Sequence, residues 1–194
     1  MLIDEVMPEF DAVRTEHLLV KMPIERAWDA TLDADFIETA TSSKLVRGLF
    51  AVRTAGEKAV RAVTRKPAPP EPEIASMRLR DMETEGDWIR LGEDPPNEIA
   101  FGVIGRFWSG ETVWEQTNPE GFREFNRPGF ARIACNFSLR EYGDGKTLIS
   151  YECRTKATSD DARKGFMRYW RPMSPFIGMV LRAQLRLIAR SAEG

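Results

Sequence analysis

The chain is short of the residues that do most covalent and metal chemistry. Its 194 residues include one histidine, His17, and two cysteines, Cys135 and Cys153. A zinc site needs three or four ligands and a serine-type triad needs a histidine beside its nucleophile, so neither a metal centre nor nucleophilic hydrolysis is expected. Two cysteines are too few to staple a domain of this size. No run approaches the roughly 20 apolar residues that span a bilayer. The formal charge of −2 lacks the basic excess that phosphate binding needs, so nucleic acid is not an expected partner. Residues 1–11 are acidic where a secretion signal is basic and then apolar, and a cytoplasmic location is expected. Gly102 and Gly105 lack the third glycine and the strand-to-helix context of a phosphate loop. No cofactor is expected, and these glycines read instead as positions for a sheet bend or a close helix approach. Asn136-Phe137-Ser138 spells a glycosylation triplet but falls inside a predicted strand.

What is present is a long amphipathic stretch at the end of the chain. From Ser159 to Ala192, apolar residues recur at steps of three and four: Ala162, Phe166, Trp170, Met173, Ile177, Val180, Leu181, Leu185 and Ile188. This predicts one long helix or a bent pair. A straight helix of that length runs to about 50 Å, longer than the roughly 42 Å across of a compact domain of this size. Pro172 and Pro175 each remove a helical hydrogen bond, which predicts a break between Arg171 and Pro175.

Upstream, Arg14–Met22 alternates and reads as a first strand, and Pro23 introduces a helix through Asp33 with Ile24, Trp28, Thr31 and Leu32 as its apolar stripe. A second helix is predicted from Ser42 through Phe50, resuming over Glu57–Thr64. The Pro-rich run Arg65–Glu73 cannot continue a helix. It reads as an extended connector, although Lys66, Pro69 and Pro72 also match the spacing of a ligand for aromatic-lined grooves. After a short turn at Leu79–Met82, strands are predicted at Trp88–Glu93, Glu98–Trp108, Thr112–Gln116, Phe122–Phe125, Phe130–Tyr142 and Lys146–Ala157. If Gly143, Asp144 and Gly145 form a three-residue loop, Tyr142 faces Lys146. Ile133, Cys135, Phe137, Leu139, Ile149, Tyr151 and Cys153 then share one face. The same register sets Cys135 directly opposite Cys153, with Cβ atoms about 4.5–5.5 Å apart. The two read as small core or pocket-wall residues, with a labile cross-strand disulfide as the alternative.

The order strand, helices, strand meander and long C-terminal helix resembles the START-like (SRPBCC) helix-grip superfamily, which includes the birch pollen allergen, lipid-transfer domains and polyketide cyclases or aromatases. The run Phe101-Gly102-Val103-Ile104-Gly105-Arg106-Phe107-Trp108 is similar to a bacterial branch of it. So are Phe125 with Pro128-Gly129, and Ala162, Arg163, Phe166, Tyr169 and Trp170 followed by Pro175. The resemblance implies one α+β domain over residues 1–194, a curved antiparallel sheet wrapped around the terminal helix with two or three helices inserted after the first strand. It brings no catalytic residues with it. Such a grip leaves a cavity, and a dry one of ligand size, roughly 300 Å³, forfeits on the order of 7 kcal/mol. Phe107, Trp108, Cys135, Phe137, Tyr151, Cys153, Phe166, Tyr169, Trp170, Met173 and Ile177 are the residues expected to fill it or to line it around a hydrophobic small molecule. A cyclase-like enzyme is the alternative, with Tyr151, Tyr169 and Arg106 as its polar groups and Asn136 and Glu152 on the outer face. A third reading uses Arg182, Arg186 and Arg190, one turn apart, as a basic stripe for peripheral contact with an anionic membrane. The same arginines also complement the helix dipole.

Overall fold

Period-two alternation becomes strand pairing in the computed structural model, which describes residues 1–36, 77–109 and 112–191. The order is α1 (Leu2–Val6), β1 (Ala12–Val20), α2 (Ile24–Asp33), β2 (Ile89–Asp94), β3 (Glu98–Arg106), β4 (Val113–Glu115), α3 (Pro119–Glu124), β5 (Ala131–Glu141), β6 (Thr147–Ala157) and α4 (Asp160–Ser191). The six strands form one curved antiparallel sheet in the order β1-β6-β5-β3-β2, with β4 paired to the end of β3. The fold is α+β, with α4 lying along β1 and β6 and α2 beside it. The second helix and the Pro-rich connector expected at 42–73 lie outside the described residues.

The β5–β6 hairpin has the register its loop residues dictate. Gly143, Asp144 and Gly145 all take positive φ, a conformation glycine adopts freely and aspartate tolerates. Tyr142 N–H donates to the Lys146 carbonyl at 2.8 Å, and Cys135 pairs with Cys153, Phe137 with Tyr151 and Leu139 with Ile149. These residues join Ile99, Phe101, Leu181, Leu185 and Ile188 in the core under α4.

The opposite face is also buried, where the sequence reading left it outward. Ile3, Val6 and Met7 of the N-terminal segment pack on Ala100, Ile104, Phe122, Phe130 and Ala134. A five-residue helix has no stability of its own, and α1 is held by two groups far away in sequence. The Glu98 carboxylate accepts from the Leu2 and Ile3 N–H groups at 2.8 and 3.2 Å and from Asn136 Nδ2 at 2.6 Å. Arg154 donates to the Met7 carbonyl at 2.9 Å and to Asp4 at 2.7 Å. Asn136, expected on an outer face, is thus 1% exposed.

Two elements differ from expectation. Phe122–Phe125 is not a strand but the end of α3 and the residue after it. Asn118 caps that helix by accepting the Gly121 N–H at 2.8 Å, and Pro119 stands in the first turn, where its missing N–H costs nothing. Phe122 closes on Gly102, where any Cβ would come within 2.9 Å of its ring. The terminal helix, for its part, runs unbroken through Pro172 and Pro175 for 32 residues, about 48 Å. The carbonyls that lose partners belong to Arg168 and Arg171, both exposed, so water can take their place. Buried residues hold the helix on either side, Ala162 and Phe166 before the prolines and Gly178, Leu181, Leu185, Leu187 and Ile188 after them.

Candidate functional site

Between these anchors, residues 167–177 of α4 contain no buried side chain. That stretch roofs a cavity of about 500 Å³ against the curved sheet. The floor is Ile133 and Cys135 of β5 with Tyr151, Cys153 and Thr155 of β6. The roof comes from α4 at Phe166, Tyr169, Trp170, Pro172, Met173 and Phe176, continuing through Ile177, Val180, Leu181 and Gln184. Trp88, Phe107 and Trp114 complete the lining. Trp114 and Phe176 are 38% and 37% exposed while also lining the cavity, so they mark its mouth.

Nine of the eleven residues expected from sequence line this space: Phe107, Cys135, Tyr151, Cys153, Phe166, Tyr169, Trp170, Met173 and Ile177. Trp108 and Phe137 do not. Trp108 has the opposite parity to Phe107. It lies against Gly165, where a Cβ would meet its Nε1 at 2.7 Å, with Phe166 edge-on at 5.9 Å. Phe137 has the right parity but is covered on that face, its ring stacked with Tyr151 at 4.1 Å and Phe36 at 5.6 Å. It is a core residue with no exposed surface. Of the lining residues not expected, Val180, Leu181 and Gln184 continue the helical spacing of Ile177, a signal that was there to read. Trp114 gave no such signal, since its place depends on pairing with Gly105, whose missing Cβ leaves room for the indole.

The helix is fixed to β1 by charge. Glu16 accepts from Arg14 at 2.5 Å and from Arg182 at 3.0 Å. The Arg14 guanidinium lies on Gly178, where a Cβ would come within 2.5 Å of it. Arg163 at the start of α4 pairs with Asp11 at 2.9 Å. Arg182 of the expected basic stripe, and Arg163 upstream of it on the same helix, are therefore paired with acidic groups of or beside β1.

The Tyr151 hydroxyl and the Cys135 thiol of the floor stay neutral. Burial, followed by the neighbouring thiols, pushes the Tyr151 hydroxyl well above its ordinary value. The Cys135 thiol is also pushed well up, first by its hydrogen bond with Cys153 and then by burial. Both cysteines are free. Arg106 is not part of this site: it lies on the other face of β3 with its guanidinium over Phe130 at 5.9 Å. His17, on the outer side of β1, has its Nδ1 2.8 Å from the Ser150 hydroxyl.

An α+β grip, in which a curved antiparallel sheet and a long terminal helix enclose an apolar cavity, is thus the class the coordinates define. No family model matches the chain, and no curated protein matches it in sequence. Among solved structures it is similar to a conserved protein from Geobacillus kaustophilus, at 10% identity over 94% of this chain and 95% of that one, with a TM-score of 0.45. It is also similar to CalU16 from Micromonospora echinospora, at 14% identity over 93% and 82% with a TM-score of 0.31. Protein Ms6760 from Mycobacterium smegmatis shows 14% identity over 95% and 93%, with a TM-score of 0.39. Among the described residues no helix is long and apolar enough to cross a membrane.

Proposed function

We propose that the protein is a single-domain, cytoplasmic member of the START-like (SRPBCC) superfamily that binds a medium-sized hydrophobic or aromatic molecule between α4 and the sheet. The observation that carries the reading is the 500 Å³ cavity itself, walled by aromatic and aliphatic side chains that do not fill it. Held dry, a void of that volume would forfeit about 12 kcal/mol, as much as a domain's whole stability of about 5–15 kcal/mol. Open at Trp114 and Phe176, the space is therefore held by water or by a guest. An apolar molecule that displaces loosely held water gains about 25 cal/mol for each Å² it buries.

A cyclase-like activity in the same cavity is the second reading. It is supported by the Tyr151 hydroxyl, which burial keeps protonated and available as a donor. It is weakened by Arg106, which belongs to the opposite face. Peripheral membrane binding through the terminal helix loses force because Arg182 and Arg163 are engaged by Glu16 and Asp11.

Native mass spectrometry of freshly purified protein tests the binding reading. A retained apolar species, released when the protein unfolds, is the expected result. Bare protein that also takes up nothing from a broad apolar panel would count decisively against it.

A further inference from the structure

The cavity floor holds a pair of groups that apolar binding does not use. Cys135 and Cys153 are direct cross-strand partners, both free, and both line the cavity. Directly opposed residues place their Cβ atoms about 4.5–5.5 Å apart, a separation that one atom bonded to both sulfurs can span. Cys135 is 2% exposed and Cys153 is partly exposed, so one sulfur is reachable from the cavity and the other lies just behind it. On its other side Cys153 pairs with Arg14, whose guanidinium is committed to Glu16.

Two sulfurs with no third ligand do not make a zinc site, and no three metal-ligating groups converge among the described residues. Charge narrows the choice among thiophilic centres that need only two sulfurs. Binding displaces both thiol protons, so a centre of charge +2 gives a neutral chelate. A monovalent soft cation would leave a net negative charge beside Cys135, at a spot where burial disfavours the thiolate. The cavity that the pair lines is also lined by Phe166, Tyr169, Met173 and Ile177, and such an apolar space suits one flat organic substituent on that centre.

We propose that Cys135 and Cys153 form a chelating dithiol site for an aryl-substituted trivalent arsenical, with arsenic bonded to both sulfurs and the aromatic ring lying in the cavity. An arylarsonous acid carries two hydroxyls on arsenic. Each arsenic–oxygen bond breaks as an arsenic–sulfur bond forms, and each thiol proton leaves with hydroxide as water. Two waters are released and no oxidation state changes, so no oxidant or reductant is involved. The site does not depend on what the cavity's ordinary occupant is.

The test uses phenylarsonous acid and methylarsonous acid on the folded wild-type protein, with native mass spectrometry and titration of the remaining free thiols. The expected result is one arsenic per chain with both thiols withdrawn. Cys135→Ser and Cys153→Ser should each bind roughly 100-fold more weakly, because a single thiol loses the chelate. The phenyl compound should bind at least about ten-fold tighter than the methyl one, from the apolar area of its ring, and that preference should vanish in denaturant. Wild type that forms no adduct, keeps one thiol free, or shows no phenyl preference while folded would overturn the proposal. The thiol count on wild type decides even if a serine variant fails to fold.

Discussion

Tyr151 lies flat on Phe137, ring centroids 4.1 Å apart and planes 19° from parallel. The two are paired side by side across β5 and β6 on one face of the sheet, yet only Tyr151 lines the cavity, while Phe137 is packed wholly within the core.

Buried in this way, Tyr151 resists ionisation. Burial raises its folded-state pKa well above the ordinary 10.0, so above that value the unfolded chain has given up a proton that the native one keeps. The contribution to stability is full below pH 10 and is lost as pH rises from there toward the folded value. In an alkaline absorbance titration, the signal of Tyr151, identified by its loss in Tyr151→Phe, should appear only on unfolding. A Tyr151 transition near the ordinary value in folded protein would contradict this.

Truncations on either side of the floor should separate core from site. Phe137→Ala removes a ring with no exposed surface and should cost about 3–5 kcal/mol in chemical denaturation. Met173→Ala, at a half-exposed position in the roof, should cost under about 1 kcal/mol. Equal costs would mean that the roof is packed as tightly as the core.

Much of this arrangement was legible in the sequence because it depends on local rules. The turn Gly143-Asp144-Gly145 sets the hairpin register, and the register sets which residues face α4. The spacing of Phe166, Trp170, Met173 and Ile177 places the roof. What could not be read depends on partners remote in sequence. Nothing near Leu2 announces a helix, because Glu98, 96 residues away, receives its first N–H group. Phe137 and Tyr151 share a parity, and the Phe36 ring stacked on Phe137, remote in sequence, decides which of them is covered. The prolines of α4 were read as a break because sequence alone does not show that Arg168 and Arg171 leave their carbonyls near water. The helix at Pro119 is different, since Asn118-Pro119 is a cap signal that the alternation of phenylalanines obscured.

Replacing Pro172 and Pro175 by alanine restores two helical N–H groups and should raise stability, by up to about 3 kcal/mol per site. The same change stiffens the part of the roof that no buried residue holds, so uptake and release of an apolar probe should both slow. Denaturation midpoints and stopped-flow fluorescence measure the two effects. A double variant less stable than wild type would show that the prolines are needed for packing.

Glu98→Ala should release the N-terminal segment. It leaves Asn136 Nδ2 and the Leu2 and Ile3 N–H groups without an acceptor, at a cost of roughly 1–3 kcal/mol for each group that stays buried. Acid should loosen the same segment more mildly. The hydrogen bond from Arg154 holds the exposed Asp4 carboxyl below its ordinary range, so this small contribution is present above that range and fades as pH falls through the lowered value. Amide exchange at Leu2 and Ile3 reads both effects, and unchanged protection in Glu98→Ala would refute the capping role.

The central claim is that the space between α4 and the sheet takes up an apolar guest. Trp88, Trp114 and Trp170 line it, so a titration of wild-type protein with a panel of neutral aromatic compounds should saturate with a change in tryptophan fluorescence. In Ile177→Phe, where a larger side chain occupies part of the volume, the affinity should fall at least about ten-fold while the protein stays folded. No saturable change with any compound, or equal affinity in the filled variant, would contradict the account.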